Sequence, residues 1–283
     1  MKRFIWLTGF TLVLLSSLTI SAQGKNAAGS LFIIGGGNRS DSLMKKLVET
    51  ADLRVNDYIV VLPMASGEPE AGFSVISKQL GKFTKATMRN FDFAKRSGNN
   101  QPWIDSLAGA RLVYILGGDQ SRFMKAVVNT PIYKAIHRAY NQGATIAGTS
   151  AGAAVMSKYM ITGRQLKDTI YKETFDKLWS DNIEFTEGLG LLPGVIIDQH
   201  FIKRNRHNRL LSALAEKPDH VCIGIDEGTA IIVRGNKATV AGESQVLRFA
   251  NPKGHEKTAA GLLKFQSIDL GVFTSGDVLT IKL

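Results

Sequence analysis

Short apolar runs that each stop on glycine or proline, alternating with helical stretches, constrain this chain more than any other feature. Leu31–Ile34 ends in Gly35-Gly36-Gly37, Tyr58–Leu62 (YIVVL) stops at Pro63, and Arg111–Leu116 (RLVYIL) ends on Gly117-Gly118. Ala144–Ala147 is a shorter run of the same kind, and Val195–Asp198 and Val221–Ile225 predict two further strands. Between them, Ser42–Leu53 spaces Leu43, Leu47 and Val48 on one helical face, and Phe73–Phe83 and Gln120–Val128 also read as helices. Thr130-Pro131 opens another helix, with Thr as N-cap and Pro in the first turn. Strands that are apolar on both faces need helices on both sides, so the fold class is α/β: a mostly parallel sheet flanked by helices, flavodoxin-like in outline. After Asp226 the texture changes. TAIIVRGNKATVAG, QVLRF and DVLTIKL are β-rich segments separated by turn residues. They predict a small β-rich C-terminal extension over 228–283, belonging to the same domain as residues 23–227.

Residues 1–22 stand outside that pattern. Lys2 and Arg3 precede an apolar stretch from Ile5 to Ile20, and Ile20-Ser21-Ala22 offers a small-residue cleavage site. This is the form of a secretory signal peptide, which predicts export to the periplasm or the exterior and no stable membrane insertion after cleavage. Cys222 is the single cysteine, so an internal disulfide framework and a multi-cysteine metal site are excluded. Without Lys2 and Arg3 the charge balance is 33 basic to 24 acidic residues, a net +9. The bases are scattered apart from Lys203–Arg209, and no nucleic-acid motif accompanies them, so no nucleic-acid partner is expected.

Gly148-Thr149-Ser150-Ala151-Gly152 has the pattern G-x-S-x-G, with an apolar strand before it and an Ala-rich helix former after it. A serine on such a strand-to-helix turn has its hydroxyl lifted above the sheet edge, and small neighbours let the backbone approach itself and a substrate. The Ala151 amide would lie at the helix N-terminus, suited to an oxyanion. The competing reading is a tight Gly/Ala turn with an N-capping serine. A nucleophilic serine needs a base, and of five histidines His200 alone follows a strand's C-terminal end, where open α/β sheets place ligands and catalytic groups. Gly117-Gly118 closes another strand, and the Gly118 amide could be a second oxyanion donor; a plain turn capped by Asp119 explains it equally. Gly35-Gly36-Gly37-Asn38 lacks the spacing and lysine of a phosphate cradle. In Lys203–Arg209, Arg206 and Arg209 share a helical face, either as a solvated surface or as guanidinium forks for carboxylates.

Taken together, LFIIGGGNRS, YILGGDQSRF, IAGTSAGAAVMS, GLGLLPGVIIDQHFIKRNRHNRLLSAL and IGIDEGTAIIV resemble the cyanophycinases, serine hydrolases related to the aspartyl dipeptidases. The resemblance implies a fold like that of class I glutamine amidotransferases, with Ser150 as nucleophile, His200 as base, and the Gly118 and Ala151 amides as oxyanion hole. It also implies that Gln120, Asp198, Gln199, Arg204, Arg206 and Arg209 line the substrate pocket. The family substrate is an aspartyl/arginyl polymer, cyanophycin, a poly-aspartate backbone with arginine on each β-carboxylate. It is cleaved to β-Asp-Arg dipeptides without metal or organic cofactor; a homodimer is one assembly open to such a chain. The family's third catalytic residue is an acid soon after the serine. Here 163–187 is longer than that pattern; Asp168 is the choice by spacing, with Glu173 and Asp176 as rivals. The first glycine loop reads GGGN where many relatives carry an acid, which leaves arginine-side recognition open, and the longer 163–187 segment makes an isoaspartyl or aspartyl peptide the alternative substrate. From other classes, a non-catalytic peptide or carbohydrate binder and a conventional esterase also compete. The esterase lacks an HGGG-type loop and leaves R-x-R-x-x-R unexplained.

Overall fold

The computed structural model describes residues 29–95, 99–167, 170 and 174–281. The segment 1–22 lies outside them. In chain order the elements are β1 (Ser30–Ile34), α1 (Asp41–Ala51), β2 (Tyr58–Leu62), α2 (Pro69–Gly81), β3 (Thr87–Asn90), α3 (Gln101–Ala108), β4 (Leu112–Ile115), α4 (Gln120–Val127) and α5 (Pro131–Asn141). There follow β5 (Thr145–Thr149), α6 (Ala151–Ala154), β6 (Tyr159–Gln165), β7 (Ile183–Glu187), β8 (Val195–Gln199), α7 (His207–Glu216) and β9 (Val221–Ile225). The chain closes with β10 (Thr229–Arg234), β11 (Lys237–Gly242), β12 (Val246–Lys253), β13 (Glu256–Lys257), β14 (Leu263–Lys264), β15 (Ser267–Phe273) and β16 (Val278–Thr280).

An eight-stranded sheet runs β16-β11-β10-β1-β5-β4-β2-β3. From β1 to β3 every pairing is parallel; β10, β11 and β16 extend it antiparallel. This is the mostly parallel, helix-flanked α/β sheet expected. The apolar strands β8 and β9 do not enter it. They pair in parallel with each other and form a second sheet, β15-β12-β9-β8. The segment after Asp226 is thus shared: β10, β11 and β16 widen the first sheet, whereas β12 and β15 widen the second.

Side-chain alternation explains the layers. On β1, Leu31 and Ile33 join the larger core while Phe32 and Ile34 pack on the opposite face with α1 and α2. On β8 and β9, Val195, Ile197, Val221, Ile223 and Ile225 join that same larger core. Ile196 and Cys222 turn the other way, toward α7. One face of the small sheet therefore seals one face of the large one, and each buried Leu, Ile or Phe contributes about 1.5–3 kcal/mol.

Local chemistry sets the helix ends. The Ser40 hydroxyl accepts from the Leu43 amide to open α1, and the Asp119 carboxylate accepts from the Ser121 and Arg122 amides to open α4. Thr130 occupies the N-cap position of α5, but its hydroxyl donates to the Val127 carbonyl at 2.6 Å instead of capping the helix. The helix after Ser150 is only four residues long.

Gly224 on β9 is pressed against the fully buried ring of Phe201, so a Cβ there would collide with the ring. Gly224→Ala is expected to lower stability by about 1–3 kcal/mol, as overpacking does. At this chain size that lowers Tm by about 3 °C per kcal/mol. Calorimetric melting checks this; an unchanged Tm would show that the Phe201 ring can give way.

Candidate active site

Ser150 directly follows β5 with φ 54° and ψ −111°, a conformation that L-residues avoid. Its amide donates to the Ile34 carbonyl at 3.0 Å, and α6 begins at once. The two glycines of G-x-S-x-G make the bend fit. A Cβ at Gly148 would strike the Gly152 carbonyl, and one at Gly152 would strike the Ile115 carbonyl. Ser150 is therefore held by three strands at their C-terminal ends.

His200 reaches it from the small sheet. The residue follows β8 with φ 48°, and its amide donates to the Gly35 carbonyl at 2.7 Å. Ser150 Oγ and His200 Nε2 lie 2.7 Å apart. On the other side of the ring, His200 Nδ1 lies 2.6 Å from Glu227 Oε1. An ionised carboxylate only accepts hydrogen bonds, so Nδ1–H donates to Glu227, leaving Nε2 to accept from the serine hydroxyl.

The acid that accepts from His200 Nδ1 is Glu227, a residue outside the set expected from spacing. Asp168 and Glu173 lie outside the described residues, and Asp176 is exposed. Parallel pairing is the reason. Gln199 on β8 is in register with Ile225 on β9, so the residues just past the two strand ends meet. Asp226, the neighbour of Glu227, fastens the arrangement by accepting from the Ile202 and Lys203 amides at 3.1 and 2.9 Å. The signal was available in IGIDEG, an apolar strand ending on two acids and a glycine. The triple-glycine loop has a related use. A Cβ at Gly36 would overlap the His200 ring, and one at Gly37 would lie 2.7 Å from Glu227 Cβ. That loop is bare so that the imidazole and carboxylate can sit against it.

The Gly117-Gly118 turn passes beside the serine: a Cβ at Gly117 would lie 3.2 Å from Ser150 Cβ. Neither the Gly118 nor the Ala151 amide donates in any described turn, loop or cap hydrogen bond. Gln120 donates from Nε2 to the Ile161 and Thr162 carbonyls, both at 3.0 Å, and so ties α4 to β6.

The arginines divide. Arg209 donates from Nε to Asp198 Oδ2 at 2.8 Å and from Nη2 to Asp198 Oδ1. Arg206 donates from Nη1 to the Gln199 backbone and side-chain oxygens, each at 2.7 Å, with Asp198 Oδ1 at 3.6 Å. All four residues are buried, Asp198 at 1% exposure and both arginines at 4%. The Arg206 and Arg209 forks, which the resemblance assigns to a substrate pocket, are here engaged by Asp198 and Gln199. A carboxylate this deep requires a paired cation, and that need outweighs surface display. Arg204 is half-buried on the turn after His200.

Burial lowers the His200 pKa from its ordinary value; the hydrogen bond to Glu227 opposes this, and the charges of Arg204 and Arg206 add to it. Burial, helped by Asp198, pushes the Cys222 thiol far up, so it stays protonated.

Residues 31–241, which include Ser150, His200 and Glu227, match the model of "Peptidase family S51". The chain is 36% identical over 192 residues to the cyanophycinase of a Nostoc species, a match covering 67% of this chain and 62% of that protein. It is 32% identical over 234 residues to the cyanophycinase of Geminocystis herdmanii, covering 77% and 80%. The crystal structure of a peptidase from an acI-B1 Actinobacterium superposes with a TM-score of 0.67 at 24% identity, covering 91% of this chain and 98% of that one. At that identity the likeness speaks for the fold.

An NMR titration of the imidazole is expected to give His200 a midpoint below 6.5, the ordinary value. Arg204→Gln removes a positive charge that disfavours the imidazolium, so the midpoint should rise. A wild-type midpoint above 6.5, or a fall in the variant, would contradict the electrostatic account.

Proposed function

This chain belongs to peptidase family S51, and we propose that it is a serine-type peptidase that hydrolyses cyanophycin to β-Asp-Arg dipeptides through an acyl-enzyme. The observation that carries the reading is the continuous pair of short contacts from Ser150 Oγ to His200 Nε2 and from His200 Nδ1 to Glu227, at 2.7 and 2.6 Å.

In the proposed reaction Ser150 Oγ attacks an aspartyl peptide carbonyl while His200 Nε2 takes the hydroxyl proton. Glu227 fixes the tautomer and stabilises the imidazolium that forms. Negative charge gathers on the carbonyl oxygen, and the Gly118 and Ala151 amides receive it; one such donor is worth roughly 3–4 kcal/mol in barrier height. His200 passes its proton to the leaving amine. Water then enters, His200 deprotonates it, and the acyl bond to Ser150 is broken. The lowered His200 pKa keeps the base neutral near pH 7, as the first step requires. Arg206, Arg209, Asp198 and Gln199 act from below, fixing the strand end that carries His200. The long 163–187 segment also favours a second substrate reading within the same chemistry, an isoaspartyl or aspartyl dipeptide. The pattern of residues 1–22 supports action after export, from a chain beginning near Gln23.

Purified chain from residue 23 onward is expected to release β-Asp-Arg from cyanophycin, read by mass spectrometry. Ser150→Ala should reduce turnover by roughly 10⁴-fold or more with an unchanged melting curve. Undiminished release by that variant would overturn the mechanism. Cleavage of β-Asp dipeptides alone would move the substrate to the second reading.

A further inference from the structure

Two connections pass between the sheets side by side. Residues 226–228 lead from β9 in the small sheet to β10 in the large one, and residues 243–245 lead back from β11 to β12. Strand pairing fixes their ends: Thr229 is opposite Gly242, and Ile225 is opposite Val246. Glu227 is the middle residue of the first connection, and the second bonds to its neighbours on both sides. The Glu243 amide donates to the Gly228 carbonyl at 3.1 Å, and the Asp226 amide donates to the Gln245 carbonyl at 3.2 Å. The Ser244 amide donates to Thr229 Oγ1 at 2.8 Å. A Cβ at Gly242 would strike the Gly228 carbonyl, so the two backbones are in contact. The residues matched to the peptidase family end at 241, so the second connection lies past them.

Ser244 adds a side-chain bond to this backbone zip. Its hydroxyl donates to Asp226 Oδ2 at 2.7 Å, while Asp226 Oδ1 accepts from the Ile202 and Lys203 amides. Asp226 is 8% exposed. All three donors are neutral, and a hydrogen bond to a charged acceptor is of the stronger kind. The carboxylate thus spans three segments: the connection that carries Glu227, the turn that follows His200, and residues 243–245. His200 stands at φ 48°, and a residue in that region stays there only where its surroundings hold it. The Glu227 side chain is 31% exposed, so packing encloses it only in part. Its place 2.6 Å from His200 Nδ1 follows from where its backbone is held.

We propose that Ser244 is a positioning residue for the His200–Glu227 pair, acting through Asp226: its hydroxyl locks the connection that carries the acid to the turn that follows the base. The link between β11 and β12, within the C-terminal extension, is then a working part of the site. Without the Ser244 hydroxyl, Asp226 Oδ2 loses its donor, and the carboxylate is free to shift away from the Ile202 and Lys203 amides. A small displacement of that kind lengthens the contact between Glu227 and the imidazole, and catalysis is sensitive to such misplacement. The assignment rests on the reading of Ser150, His200 and Glu227 as the reacting groups and extends it to a residue that does not touch the imidazole.

The test reads the His200 titration midpoint by NMR, and kcat and KM for cyanophycin, in the chain from residue 23 onward. Ser244→Ala removes one uncharged hydroxyl. The Glu227 bond favours the imidazolium, so loosening it is expected to lower the midpoint. In the same variant kcat should fall about tenfold, with KM changed by less than about twofold. Ser244→Thr keeps the hydroxyl and should restore both. In the Glu227→Gln chain, adding Ser244→Ala should no longer move the midpoint, because the contact it serves is already gone. A midpoint unmoved by Ser244→Ala, or moved equally in the Glu227→Gln chain, overturns the assignment. A lowered Tm with midpoint and kcat intact overturns it too, since Ser244 would then serve stability alone. The midpoint needs no turnover, so the two readings fail separately. A midpoint that responds as expected in a chain that cleaves nothing supports the positioning role and counts against the peptidase reading; cleavage with midpoint and kcat indifferent to Ser244→Ala does the reverse.

Discussion

A seam between two sheets decides whether this molecule has a site at all. The Gly35 carbonyl, at the end of β1, accepts from the His200 amide at 2.7 Å, and the Gly35 amide donates to the Thr229 carbonyl at 2.9 Å. The first bond joins the end of the large sheet to the end of β8; the second stays within the large sheet, where β1 pairs with β10, the strand that begins just after Glu227. Ser150 belongs to one side of the seam, His200 and Glu227 to the other. The apolar core shared by both sheets keeps their relative position fixed, because Leu31, Ile33, Ile197 and Ile223 belong to one packed cluster. Close packing of this kind resists displacement by even fractions of an ångström.

The same region concentrates what a stable fold would otherwise avoid. Ser150 and His200 both have positive φ, and each such residue costs on the order of 1–3 kcal/mol. Asp198, Arg206 and Arg209 are charges removed from water directly below. Removing one partner from a buried set like that typically costs about 3–5 kcal/mol, whereas the intact set adds little net stability. Its use is geometric: Asp198 and Gln199 end the strand that delivers His200, so holding them holds the imidazole. Surrounding glycines admit the crowded backbone, and the surrounding core tolerates the strain.

Much of this was readable in the residues because β1, β2, β4 and β5 are covered on both faces and so appear as unbroken apolar runs. The serine bend and the histidine at a strand end were legible for the same reason. Other elements carried weak local signals. β3 (TMRN) is a polar edge strand, and the hairpin of β6 and β7 is only half-buried. The separation of β8 and β9 into a second sheet is a choice of partner, which no local pattern encodes. Glu227 was missed because sequence distance from the serine guided the search for an acid; proximity across parallel strands governs instead. The partners of Arg206 and Arg209 were not legible because a run of charge reads as surface or binding site, while the buried Asp198 that pairs with them is ordinary in one dimension.

The central claim is that His200 and Glu227 activate the Ser150 hydroxyl. Its most direct test is the rate of labelling by a fluorophosphonate, with the modified residue identified by peptide mass spectrometry. The account predicts one adduct, on Ser150, forming orders of magnitude more slowly in His200→Ala and markedly more slowly in Glu227→Gln. An unmodified Ser150, or a rate indifferent to both substitutions, would contradict it.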